Sequence, residues 1–235
     1  MFKLYPHFLF FLFFPIVIYS QPNVGDNYGG GIVFYVEGNN VFIAFPNAIC
    51  DNDDLCDFGY PQPWGCQGTL VGTGTELGTG LSNTLDIINN CNTEGIAANL
   101  CNNLVYNGYS DWYLPSKDEL QLLRDNLDPS SNSNFSDAWY TDIWSSSEYD
   151  SDKAWRLNCD NGIWEGNWKD DSNGGSGYAI IPIRTFQIGC TDSIACNYNS
   201  EATEDDGSCE YIEEVDLGED IVTCEESIIL DSGSG

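Results

Sequence analysis

Ten cysteines constrain this chain more than any other feature. They stand at positions 50, 56, 66, 91, 101, 159, 190, 196, 209 and 224, all downstream of the opening segment MFKLYPHFLFFLFFPIVIYSQ. That segment sets Lys3 before a mostly apolar run from Phe8 to Ile18 and closes on Ser20, the pattern of a secretory signal peptide over residues 1–20. An uncleaved anchor is the competing reading, but a span needs about 20 apolar residues and Pro15 interrupts a shorter run. An even cysteine count in an exported chain argues for disulfides. No gap between these cysteines provides the C-x-x-C pairing that structural zinc uses.

The one histidine, His7, lies inside the leader, so the mature chain has none. This removes Ser-His-Asp and Cys-His catalysis and His-ligated zinc, leaving carboxylate chemistry of glycosidase type or cysteine redox chemistry as the enzymatic options. Seven Lys and Arg against 37 Asp and Glu give a net charge of −30, which becomes −31 when Lys3 leaves with the leader. Such a field repels nucleic acid, anionic lipid and sulfated polysaccharide. It attracts cations, and solubility and calcium use account for it equally well.

Residues 21–187 read as one domain of α+β class. GGIVFYVEGNNVFIAF carries two apolar runs around Gly38, Asn39 and Asn40, a hairpin signal. Two short helices are expected over 82–106, the first burying Leu85, Ile87 and Ile88, the second Ile96, Ala97, Leu100, Cys101 and Leu104. In LPSKDELQLLRDNL, Ser116 and Glu119 form a capping box ahead of a Leu120, Leu123, Leu127 stripe. IWSSSEY, KAWRLNC, GIWEGNW and YAIIPIRTF follow as four antiparallel strands. Glycine-rich stretches 29–31 and 68–80 lack a Gly-Lys-Ser/Thr ending and read as turns. Residues 188–211 are Cys- and Asp-rich and need staples instead of a core. A strand-like pattern restarts at Ile212.

NGYSDWYLPSKDELQLL (107–123), WSSSE (144–148), AW (154–155) and IPIR (181–184), with GGIVFYV (30–36) and PWG (63–65), resemble the family named for the C-terminal domain of the bacterial collagen-like adhesin Lcl, over residues 24–187. The resemblance implies a C-type-lectin-like domain, related to the formylglycine-generating fold, with antiparallel strands, a few helices, long loops and a last strand carrying Arg184. It also implies a secreted or cell-surface adhesion module with carbohydrate or glycoconjugate as ligand; the missing histidine adds the expectation of no catalytic residues, the acidic charge that of no nucleic-acid partner, and the lack of a later bilayer-length apolar segment that of no membrane insertion. Sulfated glycosaminoglycans, the ligands of the Lcl adhesin, do not carry over to a mature chain with six basic residues. A C-type-lectin calcium tripeptide is missing too, 166–170 being only a loose echo of Trp-Asn-Asp.

GCTDSIACNYNSEATEDDGSC (189–209) resembles a short repeat of exported bacterial surface proteins. That resemblance implies a Cys190–Cys209 bridge and a calcium loop with Asp192, Asn197, Asn199, Asp205 and Asp206 as oxygen ligands beside Gly207; a solvated acidic turn is the competing reading. Some copies of the repeat carry a fourth cysteine where this chain has Glu204, which leaves Cys196 without its expected partner. The stretch 212–235 resembles the start of a PKD- or Ig-like β-sandwich. A calcium-stiffened spacer, a carboxylate glycosidase and a formylglycine-generating-type oxidase are the alternative functions.

Most of the seven tryptophans belong to the core, since Trp is the largest apolar side chain. Trp164 and Trp168 flank a Glu-Gly-Asn loop and form the expected sugar-stacking platform, with Glu148, Glu165, Asn167 and Lys169 hydrogen-bonding hydroxyls at its rim. Ordinary loop polarity is the bland account of those four. Asp51, Asp53 and Asp54, packed between Cys50 and Cys56, form a weaker second calcium signal.

Overall fold

A computed structural model describes residues 21–49, 62–127, 142–159, 161–170 and 178–212. The leader, the Asp51–Asp54 loop and the β-sandwich-like tail beyond Ile212 lie outside the described residues.

β2 (Gly31–Glu37) and β3 (Asn40–Ala44) form the expected hairpin, closed by the two residues Gly38 and Asn39, with Gly38 at φ +58°. Both strands are nearly continuous apolar runs because both faces are covered. Ile32, Phe34, Phe42 and Ala44 pack with Leu120, Leu123 and Leu127, while Val33, Val41 and Ile43 pack with Trp112, Phe186 and Ile188. A short β1 (Asn27–Tyr28) pairs with β2 on one side, and β7 (Ile183–Gly189) pairs antiparallel with β3 on the other. β8 (Glu204–Asp205) adds parallel to the end of β7, so the sheet order is β1-β2-β3-β7-β8. β7 therefore runs through the expected boundary at 187/188, and the Cys/Asp-rich segment lies along the edge of this sheet.

Three helices lie between β3 and the second sheet: α1 (Gly80–Asn90), α2 (Ala97–Asn102) and α3 (Lys117–Asn126). The α1 stripe differs from expectation: Leu85 is exposed, and the buried face is Gly80, Asn83, Thr84 and Ile87. Polar residues hold it because each is satisfied inside. Asn83 bonds both backbone groups of Gly74 and the Ser146 hydroxyl, and Thr84 Oγ1 accepts from Leu114 N–H at 3.0 Å. At α3 the capping box is complete: Ser116 Oγ accepts from Glu119 N–H, and Glu119 Oε2 accepts from Ser116 N–H at 2.7 Å. Ser116 Oγ also donates to the Glu76 carbonyl, so Ser116→Ala should cost about 1–2 kcal/mol in urea unfolding. A loss below about 0.3 kcal/mol would show that this cap is not needed.

The second sheet is β4 (Ile143–Glu148), β5 (Lys153–Leu157) and β6 (Trp164–Trp168), antiparallel and in that order. The fourth expected strand leaves it. Single bridges at Ala179 and Ile180 touch Ile143 and Ile49, and the chain then enters the larger sheet as β7. The architecture is α+β, with a Cys66–Cys91 disulfide under α1 and α2 and a Cys190–Cys209 disulfide in the C-terminal segment.

Candidate functional site

The Trp-Glu-Gly-Asn-Trp segment forms the expected strand with no loop between its tryptophans, and this decides what its side chains can do together. Successive residues of a strand point to opposite faces. Trp164, Gly166 and Trp168 share one face with their cross-strand partners Leu157, Trp155 and Lys153. Glu165 and Asn167 face the other way, where Glu165 accepts from Arg156 at 2.6 Å and the Asn167 amide meets the Tyr178 hydroxyl. The expected platform with Glu165 and Asn167 at its rim is thus split by the pleat.

Glu148 and Lys169 are corrected more strongly. Lys169 is fully buried, and the Glu148 side chain is 4% exposed. Lys169 Nζ donates to Glu148 Oε1 at 2.5 Å and to the carbonyls of Thr69 and Ser151, with the Trp64 ring 4.7 Å away. The Glu148 carboxylate also accepts from the N–H groups of Val71, Gly72 and Thr73. These two side chains are saturated internally and pin loop 69–73 to the sheet; neither reaches a ligand at the surface.

The Trp face itself is partly open. Trp168 is 40% exposed and Tyr149 53% exposed. The Tyr149 ring lies over Gly166, where a Cβ would come within 2.8 Å of it, and meets Trp155 edge-on at 4.7 Å. Tyr149, just after β4, therefore occupies the space over Gly166, two residues from Trp168 on the same face of β6. Farther along, the Trp164 indole N–H donates to Gln121 Oε1 at 2.7 Å, and Lys117 Nζ sits 4.2 Å from the Trp155 centroid. Lys153 Nζ lies 5.2 Å from the Trp168 ring.

Charge sharpens the picture. Of the six basic residues in the mature chain, Lys169, Arg156 and Arg184 are committed to ion pairs. Lys117, Lys153 and Arg124, the last lying against Gly162 in the β5–β6 connection, form none among the described residues, and all three cluster around this sheet. Tyr149, Trp155, Lys117 and Lys153 were not singled out from sequence. The period-two pattern of KAWRL opposite WEGNW carries the signal for Lys153 and Trp155, while Lys117 on α3 and Tyr149 just after β4 have no such signal.

In the C-terminal segment the five expected cation ligands serve as turn acceptors. Asp192 accepts from the Tyr211 hydroxyl at 2.7 Å and from Ile194 N–H, which holds its carboxyl below the usual range. Asn197 bridges Ser208 O and Glu210 N–H; Asn199 accepts from Glu201 N–H and Asp206 from Ser208 N–H. Asp205 Oδ1 faces Thr191 N–H at 3.5 Å and the Cys209 sulfur at 3.6 Å. The described residues contain no cluster of three or more His, Cys, Asp or Glu arranged for a metal ion. Each of the five side chains thus has a protein partner that helps to form a turn. Cys196, expected to lack a partner, is disulfide-bonded.

Cys101 is a free thiol, fully buried beside the Cys66–Cys91 bridge, and burial pushes its titration far above the usual range. The family model described as Lcl C-terminal domain matches residues 62–180, a span that includes α1 to α3 and the whole β4–β6 sheet. No curated protein matches the chain.

Proposed function

The chain belongs to the Lcl C-terminal domain family, whose members are adhesin-type surface domains, and from that premise we propose that it is an extracellular, non-catalytic module that binds carbohydrate on the open face of β4–β6. The observation that carries the reading is the exposed Trp168–Tyr149 pair, backed by Trp155 and Trp164, with ammonium groups of Lys117 and Lys153 interleaved. An indole offers a flat apolar surface to the C–H face of a pyranose, and the neighbouring ammoniums donate to ring or hydroxyl oxygens.

Several observations support binding over catalysis. A glycosidase uses two carboxylates opposed across a cleft, whereas Glu148 is enclosed by Lys169 and three backbone N–H groups. A thiol-dependent oxidase needs an accessible thiolate, and Cys101, fully buried and held protonated, does not supply one. The disulfides suit an oxidising, extracellular setting, and no helix among the described residues is long and apolar enough to cross a membrane.

A glycan array probed with the full chain, followed by calorimetry on the best ligand, tests the proposal. Trp168→Ala should weaken that ligand at least about tenfold, or 1.4 kcal/mol, with an unchanged unfolding midpoint. Undiminished binding by this variant, or an array without a single hit, would remove the basis for the assignment.

A further inference from the structure

A cavity of about 290 Å³ opens on the other sheet, between the β1–β2 turn and the hairpin at Tyr106–Tyr109. Its floor is bare backbone. Gly29 and Gly30 have φ of +55° and +88°, and a Cβ on Gly30 would stand 2.5 Å from the Tyr109 ring. Side chains are thus excluded from the floor by conformation and by packing behind it, which leaves peptide groups facing the opening. The walls are held from outside: Tyr28 stacks on Phe186 at 5.9 Å, and Tyr106 packs edge-on against Phe45 at 4.8 Å. Asn107, at φ +50°, and Gly108, at +86°, make the two-residue turn that aims the Asn107 amide at Gly30 O, 3.3 Å away. Asn27 and Pro46 complete the rim.

We infer that this cavity is a second ligand site, distinct from the Trp face, and that it takes a neutral sugar ring. Three features of the lining set that class. The volume, just under the usual range of about 300–1,000 Å³ for small-molecule pockets, suits one ring and not an oligomer. No ionisable group other than the two phenols lines it, and a chain of net charge −30 disfavours an anion wherever no cation faces it. The amides of Asn27 and Asn107 each offer a donor and an acceptor, which matches vicinal hydroxyls, while Tyr28 and Tyr106 supply flat surface for ring C–H groups. Burial, with Glu204 adding, pushes the Tyr28 phenol upward, so it remains a neutral hydroxyl.

Saturation-transfer NMR on the full chain with methyl glucoside, galactoside, mannoside and N-acetylglucosaminide tests the inference. At least one of the four should receive saturation, with affinity on the order of millimolar. Asn27→Trp, which fills the opening from an exposed position, should abolish that signal when introduced into the Trp168→Ala chain, where the other face is disabled, at an unchanged unfolding midpoint. Asn107→Asp, which retains a residue tolerant of the left-handed turn while adding a charge, should weaken it at least about fivefold. Trp168→Ala should leave it intact. No transfer to any of the four, or transfer that survives both cavity variants, overturns the site. Transfer lost only in Trp168→Ala overturns it while leaving the proposed function of the Trp face standing.

Discussion

Lys169→Met is expected to be among the most damaging single substitutions in the chain, costing about 3–5 kcal/mol in urea unfolding. The reason lies in what it leaves behind. With the ammonium gone, the Glu148 carboxyl loses its counter-ion at a position where only 4% of its side chain meets solvent, and the carbonyls of Thr69 and Ser151 lose their donor. The three N–H groups of Val71, Gly72 and Thr73 still solvate the carboxylate, but they do not neutralise it. Adding Glu148→Gln to the first substitution should recover a substantial part of the loss. Glutamine removes the stranded charge, keeps an oxygen for the loop N–H groups, and supplies an amide that can donate to one of the freed carbonyls. A loss under about 1 kcal/mol for the single variant would mean that water reaches the pair and that loop 69–73 is held by something else. The comparison with Arg184 shows why burial of the remaining partner matters. Arg184 binds Asp111 at 2.8 and 2.9 Å and Glu204 at 3.2 Å, but Asp111 is half exposed and would rehydrate after truncation. Its loss should therefore cost less, although the arginine makes more contacts.

The sequence showed the strands and helices well where pattern and capping agree. The 31–44 hairpin and α3 were legible because a turn signal or a capping box punctuates an apolar pattern of one period. The α1 face was misread because apolarity was taken as the mark of burial, while the fold buries Asn83 and Thr84 through tertiary hydrogen bonds that no local pattern reveals. The platform was half legible for a related reason. GIWEGNW forms its expected strand, but Glu165 and Asn167 were placed beside Trp164 and Trp168 as if a loop turned between the two indoles, and the period of two puts them on the opposite face. Placing Glu148 and Lys169 at a rim followed the rule that charges stay outside, and the exception is a matched pair whose partners lie 21 residues apart in sequence. The second cavity had no sequence signal beyond Gly29–Gly31, which alone reads as a turn.

Replacing both Cys190 and Cys209 by serine should release the C-terminal segment and leave the main domain folded. Within 190–212 only Cys190 and Ala195 are buried apolar residues, so burial contributes little to holding this segment together. Its attachments to the main sheet among the described residues include the disulfide, the short parallel pairing of Ile188 and Gly189 with Glu204 and Asp205, three backbone hydrogen bonds to residues 187–190 and the Arg184–Glu204 contact, while Cys196 holds a further disulfide. A bridge between residues 19 apart restrains the unfolded chain by about 3 kcal/mol, about a hundredfold in the opening equilibrium. Hydrogen exchange should accordingly speed up by about two orders of magnitude at Asn199, Thr203 and Asp206, whose N–H groups bond Cys190 O, Gln187 O and Gly189 O. Exchange in β2 and β3 should not change, because Phe34, Val41 and Ile43 are buried in clusters that contain none of residues 190–212. Unaltered protection at the three amides would assign the segment's order to its turn hydrogen bonds. Loss of protection in β2 as well would show that β8 supports the whole sheet and that the segment is part of the domain's core.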